Sequence, residues 1–406
     1  MKSMHLALGA LLVLNSLALA GHPIPFEVKV LGVDANEGCD VADFDGDGKL
    51  DVVAGRNWYR NGDWLPRPVR AFEDVNGYVH SNGDFAFDVN GDGLTDVIAG
   101  DFFFTEVKWY QNPGKDQLLQ GFMWPEHTLV DTGYSQNEFS VMQDLDGDQI
   151  PEWISDSWNK NNPLIVWKLG QEEREVEVKR GNKTVMEKQT VPVLKRNLIS
   201  EGGQGHGFAI GDINNDGRDD ILTGTGWHEA PEGDIFENPW RYHADWDRHL
   251  SCPMIVRDLN QDGRNDVIWG NPHDFGLYVW FATGDDEGKL TFEETLIDKS
   301  FSQLHCIHFE DLDNDGHDEL ITGKRVRAHN GRDPGGMEPP VVCYFEIDPK
   351  NPPSPQNPGA FKKHVIADSG VGIGLQIRTA DIDGDGDKDI VVAGKDGTQI
   401  LFNKLK

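Results

Sequence analysis

Residues 43–55 read DFDGDGKLDVVAG and residues 381–394 read DIDGDGDKDIVVAG. Each places carboxylates at the first, third, fifth and ninth positions of a short loop and then enters a run of β-branched residues. The same pattern begins again at Asp88, Asp144, Asp212, Asp258 and Asp311, which makes seven copies in all. Asn stands at the third position in three copies, and Glu152 and Glu319 take the ninth in two others. Self-similarity of this kind implies that each unit is one small supersecondary element, stable only when stacked on its neighbours.

Oxygen-bearing side chains at the first, third and fifth positions converge on one point when the backbone between them turns sharply, which suits a hard cation wanting six to eight oxygens. The predicted ligands are Asp43, Asp45, Asp47 and Asp51; Asp88, Asn90, Asp92 and Asp96; Asp144, Asp146, Asp148 and Glu152; Asp212, Asn214, Asp216 and Asp220; Asp258, Asn260, Asp262 and Asp266; Asp311, Asp313, Asp315 and Glu319; and Asp381, Asp383, Asp385 and Asp389. Calcium is the expected ion. The loops differ from an EF-hand, whose twelfth residue is Glu and leads into a helix; here the twelfth residue is apolar, as at Ala54 and Ala99. Asp-Gly clusters also form metal-free turns, but seven in one chain favour the ion. Gln149 and Pro151 make the third site the least regular.

This repeat resembles the FG-GAP/VCBS family, found also in integrin α-subunits, and the resemblance covers nearly the whole mature chain. It implies an all-β fold, a seven-bladed β-propeller with calcium-binding loops, in which each loop joins the innermost strand of a blade to the second. The spacing between motifs leaves room for four strands per blade. The last unit runs out after Ile400-Leu401-Phe402 with only three, so the segment from Phe26 to Gly32 is expected to supply the fourth and close the ring, removing exposed sheet edges. Before each loop, Cys39 and Val41, Phe208 and Ile210, Met254 and Val256, and Ile307 and Phe309 are predicted to pack between blades. The alternate set, including Asp40, Gln143, Arg257, His308, Glu310 and Arg378, is predicted to line the central channel. Residues 170–196 form a charged insertion read as a hairpin protruding from blade three, with a glycosylation sequon at Asn182.

Residues 1–20 hold one Lys, an apolar run from Leu6 to Leu19 and small residues at Ala18 and Ala20, the pattern of a cleavable export signal. Residues 21–406 are then one exported domain, secreted or periplasmic. No segment reaches the roughly 20 apolar residues of a membrane helix. The formal charge of −32 argues against nucleic acid as a partner; carbohydrate is the expected partner, with protein as the alternative. Cys252 and Cys306 precede consecutive loops at similar offsets, which allows a disulfide or two buried thiols equally.

The face opposite the loops gathers the start of each innermost strand and the turn after each second strand. His206 and His305 are the candidate base and acid there, and Arg325 and Arg56 the candidate carboxylate or enolate stabilisers. Trp58, Trp158 and Trp227 are the candidate stacking platform, joined by His228, His273, Asn82 and Glu138. Trp faces, forked Arg and planar amides suit a sugar, and His beside Arg suits proton abstraction next to a carbonyl; a polar, water-lined mouth and Trp used only for blade packing are the plainer alternatives. His206, His228, His273 and His305 are also candidates to surround a transition metal. The cluster from Trp240 to His249 reads as outer-blade packing. Trp109-Tyr110-Gln111-Asn112-Pro113-Gly114, Gly205-His206-Gly207 and Leu304-His305 resemble the propeller of aldos-2-ulose dehydratase/isomerase, which implies sugar dehydration. Those enzymes carry cupin domains that this sequence lacks, so no isomerase activity is implied. The two readings are a carbohydrate lyase or dehydratase acting by β-elimination, and a non-catalytic adhesion or protein-interaction propeller.

Overall fold

The computed structural model describes residues 23–74, 77–181, 183–286 and 289–406. The export signal read in residues 1–20 and the sequon at Asn182 lie outside them. The described chain forms seven four-stranded antiparallel sheets. Their first strands each end just before an Asp-rich loop: Asp40–Ala42, Gly83–Phe87, Asn137–Gln143, Phe208–Gly211, Ile255–Arg257, Ile307–Glu310 and Ile377–Ala380. Every second strand starts on the ninth motif residue, as in Asp51–Ala54 and Asp389–Gly394. Both of these are buried along their whole length, which explains why they read as unbroken β-branched runs rather than alternating ones.

The fourth strand of the seventh sheet comes from the other end of the chain. Phe26–Gly32 pairs with Gly397–Asn403, from Phe26 opposite Asn403 to Gly32 opposite Thr398. Seven hydrophobic clusters fill the spaces between sheets, each shared by two of them. Phe139 and Ile154 of the third sheet meet Phe208 and Ile221 of the fourth, and Cys39, Val52 and Tyr59 of the first meet Val391 and Ile400 of the seventh. The sheets are therefore the blades of a β-propeller, with the first strand of blade one lying beside those of blades two and seven.

First-strand side chains divide by period two. Cys39 and Val41, Phe208 and Ile210, Met254 and Val256, and Ile307 and Phe309 enter the inter-blade cores. In the alternate set Arg378 donates to Asp40 at 2.9 Å, and His308 lies 2.9 Å from the Thr379 hydroxyl, which donates to Glu310, whereas Gln143 and Arg257 donate to the carboxylates of Asp219 and Asp318. The described residues of 170–196 continue the outer strands of blade three, Leu164–Arg180 and Lys183–Ser200, which pair along their length. All four cysteines are free and buried, so the Cys252–Cys306 alternative resolves to thiols. Among the described residues, no helix is long and apolar enough to cross a membrane.

Candidate functional site

The Asp-rich loops share one backbone solution. The fourth and sixth residues take positive φ in every copy: Gly46 and Gly48, Gly91 and Gly93, Gly147 and Gln149, Asn215 and Gly217, Gln261 and Gly263, Asn314 and Gly316, Gly384 and Gly386. Gly adopts that region without penalty and Asn with little. Gln149, at φ 72°, shows that the irregular third loop keeps the shape. In all seven loops the first carboxylate accepts the backbone N–H of the sixth residue, and the ninth accepts that of the second, as in Gly48 to Asp43 and Phe44 to Asp51.

The ninth carboxylate is therefore a strut as well as a candidate ligand. In three blades its other oxygen accepts the backbone N–H of an Asn at or just past the end of the third strand, and this Asn reaches back to the preceding blade: Asn112 Nδ2 to the Phe44 carbonyl, Asn403 Nδ2 to that of Leu312, and Asn61 Nδ2 to that of Ile382. Asn112 belongs to the Trp109–Gly114 motif, which is thus a blade-joining turn.

The donor sets fit calcium. Carboxylate oxygens of Asp43, Asp45 and Asp51 lie within 4.8 Å of one another, as do those of Asp144, Asp146 and Glu152 and of Asp311, Asp313 and Asp315. Asp45 Oδ1 and Glu152 Oε1 are buried without a hydrogen-bond partner. Burial, opposed by backbone hydrogen bonds and reinforced by neighbouring loop carboxylates, pushes Asp51 and Asp220 up to about 7 and Glu319 up to about 8. Such a group needs either a proton or a cation. Five blades bring a cationic side chain to these ligands: Arg60 meets Asp45 and Asp47 at 2.6 Å each, Lys168 meets Asp146, Asp148 and Glu152, Arg218 meets Asp216, Arg264 meets Asp262 at 2.6 Å, and Lys404 meets Asp383 at 2.5 Å.

The opposite face is the propeller mouth. Glu37, Asn82, His206 and His305 come from the chain just ahead of first strands and Glu138 from the second residue of Asn137–Gln143, while Trp158, His273 and Arg325 follow second strands. Arg325 donates to Glu37 at 2.6 and 2.9 Å and to Glu138 at 2.6 Å, and the three side chains are only 9, 4 and 10 % exposed. Burial alone would raise the Glu138 carboxyl, but the charge of Arg325 and its hydrogen bond, joined by His206 in acid where that ring is protonated, hold it at about 2. A cavity of about 230 Å³ opens above this trio, walled by Tyr78, Phe103 and Trp158, with Asn82 and His329 at its sides. A larger groove of about 530 Å³ lies among the loops, beside Asp146, Arg218 and Trp240.

Beside the cavity is a histidine cluster. Ring nitrogens of His206, His273 and His305 lie within 4.8 Å of one another; His249 stacks on His206 at 4.1 Å and His329 on His273 at 4.0 Å. Burial pulls His206, His249 and His273 down to about 4 and His305 well below the ordinary value. All four rings are neutral at neutral pH. His206 lies 4.0 Å from Glu138, which would favour its protonated form once made.

Several expected site residues lie elsewhere. Trp58 is fully buried in the core between blades one and two, and Trp227, 3 % exposed, sits in the core between four and five, so neither offers a ring to a ligand. Trp158, 46 % exposed, does. His228 is buried in blade four against Tyr242 and takes no part in the histidine cluster. Arg56 is held by the Phe72 and Ala35 carbonyls and by Asp74, and does not line the cavity. His249, read as outer packing, instead joins the mouth. The aromatic wall of Tyr78, Phe102 and Phe103 went unread, although three consecutive Phe directly after a second strand, at 102–104, are a usable signal. Asp333, partner of both His273 and His329, had no local signal at all.

Blades, Asp-rich loops and a recessed mouth define the class of molecule, an all-β propeller with a repeated acidic loop on one face. Residues 258–322 match the family model for an FG-GAP-like repeat; they run from the fifth loop to the second strand of blade six, and the other loops repeat that pattern. No curated protein matches the chain. Among solved structures, BBS1N in complex with ARL6DN is 11 % identical with a TM-score of 0.48, covering 95 % of this chain and 98 % of that one. The exotype rhamnogalacturonan lyase YesX is 13 % identical with a TM-score of 0.46, covering 94 % and 74 %. A putative phosphatase from Bacteroides thetaiotaomicron is 10 % identical with a TM-score of 0.41, covering 94 % and 91 %.

Proposed function

We propose that residues 21–406 form one exported domain, a closed seven-bladed ring stiffened by calcium in its acidic loops, whose mouth binds a carbohydrate and carries out β-elimination on it. The cavity over Glu138 and Arg325, with Trp158 exposed at its wall and His206 4.0 Å behind Glu138, carries this reading. Its volume of about 230 Å³ is below the range of drug-sized sites and suits a single sugar unit more than a long chain. Bound calcium supplies positive charge that offsets the loop carboxylates and fixes the loops.

The chemistry follows from the histidine tautomers. His206 Nδ1 lies 2.7 Å from the Leu250 carbonyl, so it carries the ring proton and leaves Nε2 with a lone pair. Nε2 takes the proton from the carbon next to a sugar carbonyl or carboxylate; the C–H electrons form the C=C bond, and the C–O bond to the leaving group breaks. His305 shows the same arrangement through the Gln303 carbonyl at 3.4 Å. Its Nε2 is therefore an acceptor with no proton to give, and the expected division into base and acid is replaced by one in which the His206 imidazolium, steadied by Glu138, returns its proton to the departing oxygen. Arg325 places a permanent positive charge at the cavity floor.

One observation favours the protein-binding alternative: Arg56 and Arg325 are both paired to the propeller's own carboxylates. The deciding experiment incubates calcium-loaded protein with a panel of uronic-acid polysaccharides and keto-sugars and follows absorbance in the enone and unsaturated-uronate band. A rise that disappears in His206→Ala and weakens in Trp158→Ala supports elimination. Folded, loaded protein that produces no rise with any member of the panel is the binding propeller.

A further inference from the structure

The histidine cluster carries an inference that competes with the base role given to His206, since its single Nε2 lone pair cannot both hold a metal and take a proton. Three rings from three different loops present nitrogens within 4.8 Å of each other: His206 ahead of blade four, His273 after the second strand of blade five, and His305 ahead of blade six. Each ring is oriented by an oxygen acceptor at Nδ1, the Leu250 carbonyl at 2.7 Å, the Asp333 carboxylate at 2.9 Å and the Gln303 carbonyl at 3.4 Å. A carbonyl or carboxylate oxygen only accepts, so Nδ1 bears the proton and Nε2 is the lone-pair nitrogen on every ring. His206 and His305 are 6 and 0 % exposed, and the Nε2 of each has no hydrogen-bond partner. Buried polar atoms are rarely left so, and two in one cluster mark a position built for something that accepts lone pairs.

The arrangement has the form of a metal-binding imidazole set with its outer shell in place, each ring fixed in tautomer and direction by a second partner. Imidazole nitrogen suits zinc and its first-row neighbours, whereas calcium wants oxygen. A carboxylate stands close by: Glu138, held by Arg325, lies 4.0 Å from His206 Nε2 on the side facing the cavity.

We propose that His206, His273 and His305 bind one divalent transition metal of the zinc class, separate from the calcium loops, with the remaining coordination position turned toward Glu138 and the cavity and taken by water or a ligand oxygen. Three protein ligands and an exchangeable fourth position are the pattern of a zinc site that does chemistry.

The test is metal uptake by the full chain. Protein stripped with chelator and reloaded with excess calcium is titrated with zinc, and separately with cobalt(II) as a visible probe. One tightly held equivalent is expected, with cobalt giving the intense visible bands of a four- or five-coordinate nitrogen site. X-ray absorption on the zinc-loaded wild type should show three imidazoles, a readout that needs no variant to fold. His273→Ala, which removes the least buried of the three rings, should abolish the equivalent, and Asp333→Asn should weaken it about 10- to 100-fold. Calcium-loaded wild type that retains no zinc, retention unaffected by His273→Ala, or a spectrum showing only oxygen ligands would overturn the proposal.

Discussion

On the loop face each acidic loop folds on itself: Asp43 and Asp51 bind backbone N–H groups at most ten residues away. On the mouth face the decisive contacts are remote, Arg325 meeting Glu37 across 288 residues and Glu138 across 187. The first face is made by repetition and is nearly identical from blade to blade. The second is made by difference. Blades one, four and seven join their second and third strands by two-residue turns, at Gly55-Arg56, Gly224-Thr225 and Lys395-Asp396, whereas the mouth residues Phe103, Trp158, His273 and Arg325 come from blades with longer connections. Stability and specificity are thus assigned to opposite ends of the same strands.

The sharpest way to break this contrast is to strip calcium as a function of pH. The ninth carboxylates, including Asp51, Asp96, Glu152, Asp220, Asp266, Glu319 and Asp389, are raised to between about 6 and about 8, chiefly by burial. A carboxyl raised above its unfolded value contributes stability that is complete below that value and is lost as pH climbs through the folded one. Metal-free protein should therefore melt at progressively lower temperature from pH 5 to pH 8, while calcium-loaded protein should not. At pH 8 the two should differ by about 2.7 kcal/mol for every site held at a hundred times its dissociation constant. Calorimetry showing no difference at either pH would take calcium away from the loop face.

Next in size is Arg325→Ala, expected to cost about 3–5 kcal/mol in denaturant unfolding because it strands two buried carboxylates. Replacing the whole trio with apolar residues of similar volume should cost far less and would show that the mouth is kept for what it binds. A loss under about 1 kcal/mol for Arg325→Ala would mean that the trio is wetter and softer than its burial implies. The smallest effect is expected from Asn403→Ala, about 1–3 kcal/mol for the unmet backbone groups, accompanied by weaker calcium binding in both blades six and seven. Weakening confined to blade seven would show that neighbouring loops act alone.

The two faces were unequally legible. Loop positions, strand starts and the pairing of Phe26–Gly32 with Gly397–Asn403 follow from local pattern and from counting strands. The same counting puts the mouth opposite the loops, but counting cannot tell a turn from a loop. Trp58 and Trp158 both follow a second strand closely; after Asp51–Ala54 the chain re-enters a strand at Asn57 and carries Trp58 into the core, whereas after Glu152–Ser157 it stays in a loop and leaves Trp158 in the open. Trp227 shares the fate of Trp58, since Gly226–Glu229 begins after an equally short turn. The pairings of Arg325 with Glu37 and of His273 with Asp333 depend on how far each loop leans across the channel, which no local pattern encodes.

The pairing of the first strand with the last also sets an order of events in time. A chain emerges from its N-terminus onward, and domains generally fold as units during synthesis. Phe26–Gly32 leaves first but finds its hydrogen-bonding edge only once Gly397–Asn403 has followed. Until then the seventh blade lacks its fourth strand, and Phe26–Gly32 has no edge to pair with.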